Sequence, residues 1–193
     1  AYAVLKAKAI AESYIVQSGV PYTVFRSAVV FGPGDNFTTR IARLLRLSPG
    51  IFLMPGDGST RLQPIWVEDL VTCLTLAMQD PSTAGNIYQV GGPEFLTFSE
   101  IVDTIKNALH TWRWTVSISP AYLRILTIYL ENTFKNFPLS VFWQDYLAAD
   151  RTCDLDTLPR LFGLIPARLS HQISYLSQRS TETKARNTII TRA

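Results

Sequence analysis

Cysteine is almost missing from this chain of 193 residues: Cys73 and Cys153 are the two, and histidine is as scarce, at His110 and His171. No CxxC pair or Cys/His cluster exists, which excludes a disulfide framework and leaves no metal site to expect. Cys73 lies in the apolar run VTCLTLAM and reads as a core thiol. Charge is also thin. Charged residues make up 17% against 47% hydrophobic, where about 25% charged is usual, so a disordered chain is excluded. Ten glycines and eleven prolines exclude a collagen-like or low-complexity protein. Arg or Pro interrupts every apolar stretch well before the roughly 18 residues a membrane span needs. Nothing resembles a signal peptide. The expected location is cytoplasmic.

The formal net charge is +3 and the isoelectric point about 9.0. Arg179, Lys184, Arg186 and Arg192 against the single acid Glu182 place that whole excess after residue 176. The remainder is neutral, so the basic pI does not point to a nucleic-acid partner. Residues 177–193 read as a polar, flexible tail.

Hydrophobic spacing predicts a helix over 3–18, stopped by Gly19, with Ala7, Ile10, Ala11, Tyr14 and Ile15 on one buried face. PYTVFRSAVVF then predicts one buried strand, closed by the loop Gly32-Pro33-Gly34. TTRIARLLRL predicts a short helix capped by Thr38 or Thr39. A Gly-Asp-Gly turn precedes a short strand at Ile65-Trp66-Val67 and a helix opened by Glu68 and Asp69, acids suited to its positive end. Another strand falls at 86–90. Thr97 and Glu100 form a capping box for FSEIVDTIKNALH. Residues 116–119 predict a strand. Helices follow near 121–136 and 140–148, then small helical pieces flank an extended segment at 164–166. Strands alternating with helices over the first 95 residues predict an α/β fold with a parallel sheet. Three or so strands do not complete a doubly covered sheet, which predicts a large exposed apolar face and self-association of the chain.

Tyr2 and Lys6 form a YxxxK pattern at the head of the first helix, where i, i+4 spacing sets both on one face. An ammonium beside a phenol stabilises the phenolate and lowers its pKa from about 10. The pair can then move a proton at a substrate oxygen.

YxxxK, Ala11-Glu12 on the same helix, SGVPYTVFRS, VVFGPGD, PGDGSTRLQPIWVEDL and GNIYQVGGPEFLTFSEIV stand in one order. Together they resemble the short-chain dehydrogenase/reductase superfamily, in its extended or atypical, NAD-dependent epimerase/dehydratase-like branch. The resemblance is good over about 2–105 and looser to 176. Within the branch, GDG followed by Gln63-Pro64 and the long C-terminal helices are most similar to the group of the nucleotide-binding accessory subunit of respiratory complex I.

That resemblance implies the C-terminal part of a Rossmann-type parallel sheet over 1–95 and a smaller, mostly helical substrate-side domain over 96–176. It implies NAD(P) as cofactor of the intact protein, Tyr2 as acid/base, and Lys6 as its partner touching the ribose. Ser27, Ala28 and Val29 border the nicotinamide. Phe31, Asn36, Phe37, Arg61 and Gln63 line the substrate side. Ser27 stands where most extended members have Pro, and Arg61 lies one place from the arginine that holds a diphosphate. The Gly-rich phosphate loop of the family is absent; Gly91-Gly92 follows a strand but precedes Pro-Glu, so it cannot serve. The resemblance therefore implies a C-terminal portion, inactive alone, of an NAD(P)-dependent oxidoreductase or epimerase-like protein acting on a small molecule. The alternative is a non-catalytic dinucleotide-binding accessory or assembly subunit, peripheral to a membrane-associated complex.

Three plainer expectations stand beside these. Arg40, Arg43 and Arg46 read as a solvated helix face in preference to a phosphate site. Trp112 and Trp114 read as edge or packing residues. YLRILTIYLENTFKNF reads as a lid or packing helix in preference to one facing lipid or a partner.

Overall fold

The computed structural model describes residues 2–133, 138 and 141–177, so all of the expected tail except Ser177 lies outside the described residues. In chain order the elements are α1 (Tyr2–Gln17), β1 (Val24–Ser27), β2 (Val30–Phe31), α2 (Thr38–Leu47), β3 (Ile51–Pro55), β4 (Arg61–Leu62), β5 (Ile65–Trp66) and α3 (Val67–Gln79). A 3-10 turn at Pro81–Thr83 leads to β6 (Ile87–Val90), β7 (Leu96–Thr97), α4 (Phe98–Ala108), β8 (Trp114–Ile118) and α5 (Pro120–Thr133). Three short helices close the described chain: α6 (Val141–Tyr146), α7 (Thr157–Phe162) and α8 (Leu169–Gln172).

The strand expected over 22–31 is two strands. β1 pairs in parallel with β6, and β2 in parallel with β5. Ala28 and Val29 make the step between partners: the amide of Ala28 donates to the Val90 carbonyl at 2.8 Å, and the Val29 carbonyl accepts from the Ile65 amide at 2.9 Å. Residue pattern shows a run of apolar residues but not a change of neighbour within it. β3 and β8 form a third parallel pair, Ile51 against Trp114 through Pro55 against Ile118. β4 and β7 add a short antiparallel one. The fold is α/β, with Rossmann-like parallel strand pairs and helices around them.

The main core gathers α2, β3, α4 and the C-terminal segment around Ile41, Leu45, Met54, Ile101, Ile105 and Leu169. Each such side chain contributes roughly 1.5–3 kcal/mol when fully buried. A second cluster joins Ile65, Cys73, Val90 and Leu158. Beside it Phe25, Tyr88 and Phe162 stack, with ring centroids 5.4–5.7 Å apart.

α1 departs from expectation. It stops before Gly19, whose φ of +73° suits glycine. Its apolar side, however, is open: Ile10, Tyr14 and Ile15 are exposed, Tyr14 by 71%, and Ala7 and Ala11 with them. Helical spacing identifies an apolar face; whether anything packs on it depends on the rest of the structure. α3 likewise exposes Val71, Leu74 and Met78.

Candidate functional site

The loop after β2 is organised by Asp35, which sequence reasoning passed over. Its Oδ1 accepts from the amides of Phe37 at 3.1 Å and Thr39 at 2.8 Å. Its Oδ2 accepts from the Gly32 amide at 3.0 Å, the Thr38 hydroxyl at 2.6 Å and the Tyr175 phenol at 3.1 Å. α2 is therefore not capped by Thr38 or Thr39. Phe37 is its N-cap and makes no side-chain bond, because Asp35, two residues earlier, already occupies the free amides. Burial drives the Tyr175 hydroxyl pKa well above that of a free tyrosine. An acid directly after a Gly-Pro-Gly is the signal that could have found this hub.

The loop delivers Asn36 and Phe37 to an apolar cleft of about 60 Å³. Ile41 and Leu44 of α2, Phe52 of β3 and Phe98 of α4 line it, with Leu123 of α5 and Trp143 of α6 opposite. Phe37 stands 5.1 Å from Trp143 and 6.5 Å from Phe98, ring centre to ring centre. Arg40 and Gln144 also line the cleft. The three arginines of α2 thus part company. Arg43 is exposed, Arg46 donates to the Leu176 carbonyl at 2.6 Å, and Arg40 borders the cleft.

Phe31, Arg61 and Gln63 do not join Asn36 and Phe37 there. Phe31 is fully buried against Trp66, 5.3 Å between ring centres. Arg61 is exposed in β4. Gln63 is fully buried, and both ends of its amide are in use. Nε2 donates to the Gly92 carbonyl at 2.8 Å, and Oε1 accepts from the Cys153 amide at 2.7 Å.

Tyr2 begins α1; its side chain lies outside the described atoms. Lys6 is exposed one turn on. α1 is tied to β1 through Glu12, which takes two hydrogen bonds from the Arg26 guanidinium at 2.5 and 3.1 Å. Those bonds hold the Glu12 carboxyl below its ordinary pKa. Ser27 is exposed at the end of β1, Ala28 half-buried and Val29 buried.

Asp69 opens α3, as expected, and does more: it accepts from the Ala167 amide at 2.8 Å, docking the C-terminal segment. Burial raises its pKa. Burial, with Asp69 nearby, also pushes the Cys73 thiol up to about 11. A buried, protonated thiol is a poor nucleophile. Among the described residues no three metal-ligating side chains gather.

A dinucleotide needs backbone amides free to approach its pyrophosphate. Gly91 and Gly92 are glycines for another reason. A Cβ on Gly91 would lie 2.5 Å from the Gln63 amide carbon, and one on Gly92 1.8 Å from the Pro64 carbonyl oxygen. The Gly92 amide is spent on the Gln63 carbonyl at 3.3 Å. The glycine pair packs strand against strand and is no phosphate cradle.

Residues 1–91 match the NAD dependent epimerase/dehydratase family. Solved structures share the fold. UDP-glucose 4-epimerase from Thermotoga maritima superposes with a TM-score of 0.63 at 18% identity, over 93% of this chain and 52% of that one. A dTDP-glucose 4,6-dehydratase from Streptomyces venezuelae, solved with NAD bound, gives 0.60 at 16%, over 91% and 48%. Two curated relatives are similar in sequence. Both are NADH dehydrogenase (ubiquinone) 1 alpha subcomplex subunit 9, mitochondrial. The Arabidopsis thaliana protein is 28% identical over 109 residues, 56% of this chain and 27% of that protein. The Dictyostelium discoideum protein is 24% identical over 155 residues, 79% of this chain and 43% of that protein. The chain thus spans less than half the length of either.

Proposed function

We propose that this epimerase-like chain belongs to a non-catalytic accessory subunit of a membrane-associated NADH dehydrogenase complex. The observation that carries the proposal is the Dictyostelium match. It covers 79% of the chain, well past the family segment at 1–91, so the similarity to that subunit includes the helical part as well. The closed Gly91–Gly92 backbone and the internally satisfied Gln63 amide leave those groups to packing, which agrees with a structural role for them. The role implies a mitochondrial location, as the relatives' names state for them. It also implies peripheral attachment: among the described residues no helix is long and apolar enough to cross a membrane.

The test is assembly. Tagged protein, expressed in its own cell, is followed on native gels of solubilised membranes. It is expected to migrate with NADH dehydrogenase activity, and Tyr2→Phe and Lys6→Ala are expected to migrate with it unchanged. A chain found free of every large complex overturns the proposal.

A second reading is favoured by one feature, the Tyr2–Lys6 spacing at the start of α1. In it the subunit is an NAD(P)-dependent oxidoreductase or epimerase-like enzyme. Tyr2 exchanges a proton with a carbonyl or hydroxyl oxygen of the substrate, and Lys6 keeps the phenol acidic enough to do so. Ser27, Ala28 and Val29 border the nicotinamide end. The portion 1–95 is its dinucleotide side and 96–176 its substrate side, where Asn36 and Phe37 meet the cleft. This reading demands turnover of NAD(P)H that Tyr2→Phe abolishes, whereas the accessory reading demands none.

A further inference from the structure

The cleft beside α2 has a composition that selects its ligand. Its walls are apolar, from Phe37, Ile41, Leu44, Phe52, Phe98 and Leu123. Among the described residues one cation borders it. Arg40 is half-buried and, among the described residues, has neither a carboxylate nor a carbonyl partner. The space inside the cleft is about 60 Å³. That is well under the roughly 150 Å³ of a cavity that takes up benzene, so the cleft does not enclose a six-membered ring such as a nucleobase.

A narrow chain meets no such limit, because the cleft continues onto an open surface. Leu53 and Pro55 line it. By the alternation of a strand they share a face with Ile51, and by the β3–β8 register with Trp114 and Val116. Ile51, Trp114 and Val116 are all exposed. From Pro55 back to Ile51 this apolar strip runs about 13 Å along the strand.

We propose that the cleft and strip bind a single unbranched alkyl chain carrying an anionic head, with the head paired to Arg40. Apolar walls supply affinity in proportion to the chain buried. The unpaired guanidinium selects a carboxylate or phosphate head over a neutral one. Among the described residues a sugar nucleotide finds neither an enclosed slot for its base nor a second cleft-lining cation for its diphosphate.

Calorimetric titration of the full chain tests this with three probes: dodecanoate below its micelle concentration, dodecanol and UDP. Dodecanoate is expected to bind at one site, dodecanol about tenfold more weakly, and UDP not measurably. Arg40→Gln is expected to bring dodecanoate down to the level of dodecanol, and Arg40→Lys to restore most of the difference. Leu53→Trp, at the exposed lip where folding is least at risk, is expected to abolish binding of both chains. UDP binding as tightly as dodecanoate overturns the proposal, as does dodecanoate binding that neither Arg40→Gln nor Leu53→Trp alters, or no binding at all. Migration with the membrane complex is scored separately for the same variants, so this inference and the accessory role fail independently.

Discussion

The phenol of Tyr175 donates to Oδ2 of Asp35 at 3.1 Å, across 140 residues of chain. The contact joins the last described segment to the loop that delivers Asn36 and Phe37 to the cleft. The ring also stacks on Trp66, 6.0 Å between centroids.

Tyr175→Phe keeps the ring and removes one donor, while Thr38 still bonds Asp35; the expected cost is about 1 kcal/mol in urea unfolding. Asp35→Ala strands three amides and two hydroxyls and is expected to cost several times more. The same pair sets an alkaline limit. The Tyr175 pKa is raised in the folded state, so above about pH 10 the unfolded chain sheds a proton that the native one keeps. Native stability therefore falls as pH rises through that range. Tyr175→Phe is expected to flatten that decline, which unfolding midpoints measured from pH 8 to 11 will show.

Glu12 gives the opposite sign at the acid end. Its carboxyl pKa is lowered by the Arg26 guanidinium, so the pair's contribution is present at neutral pH and is lost as pH falls through the depressed value. Carbon-detected NMR titration is expected to find Glu12 ionising below a free glutamate, and Arg26→Gln to return it to the ordinary range. An unshifted Glu12 in the native chain contradicts the bidentate contact.

Gly92→Ala forces a Cβ against the Pro64 carbonyl oxygen, backbone that cannot swing away. About 3 kcal/mol or more of destabilisation is expected, enough to lower soluble yield sharply. Gly91→Ala meets the Gln63 side chain first. Combined with Gln63→Ala it gains room but strands the Cys153 amide, so the double variant is expected to recover only part of the loss. Thermal unfolding of the set separates clash from lost hydrogen bonds.

Thr97→Ala removes the hydroxyl that accepts from the Glu100 amide at 3.2 Å and opens the capping box of α4. The expected cost is about 1 kcal/mol, read as a lowered urea midpoint, with Thr97→Ser retaining most of it.

The capping box was legible because it is local: four residues carry both halves of it. The Gly32-Pro33-Gly34 turn, the acids opening α3 and the stop at Gly19 were legible for the same reason. So was the family pattern, a set of short motifs in fixed order. The break between β1 and β2 was not, since Ala28 and Val29 look like the rest of an apolar run until β5 and β6 are placed beside them. Asp35 carried no expectation, and its fifth partner is Tyr175, far along the chain. Gln63 carried a substrate-side expectation from its motif, yet its amide is held by Gly92 and Cys153.

The sequence by itself determined where chain direction changes and which segments are helical, because caps, glycine turns and side-chain periodicity act within a few residues. It also determined the neutral body and the α/β class. Only the tertiary structure decided which apolar faces are covered. α2 and α4 bury theirs against one another, while α1 and the outer face of β3 and β8 leave theirs open. Burial requires a partner surface, and spacing along one helix or strand says nothing about whether such a surface exists.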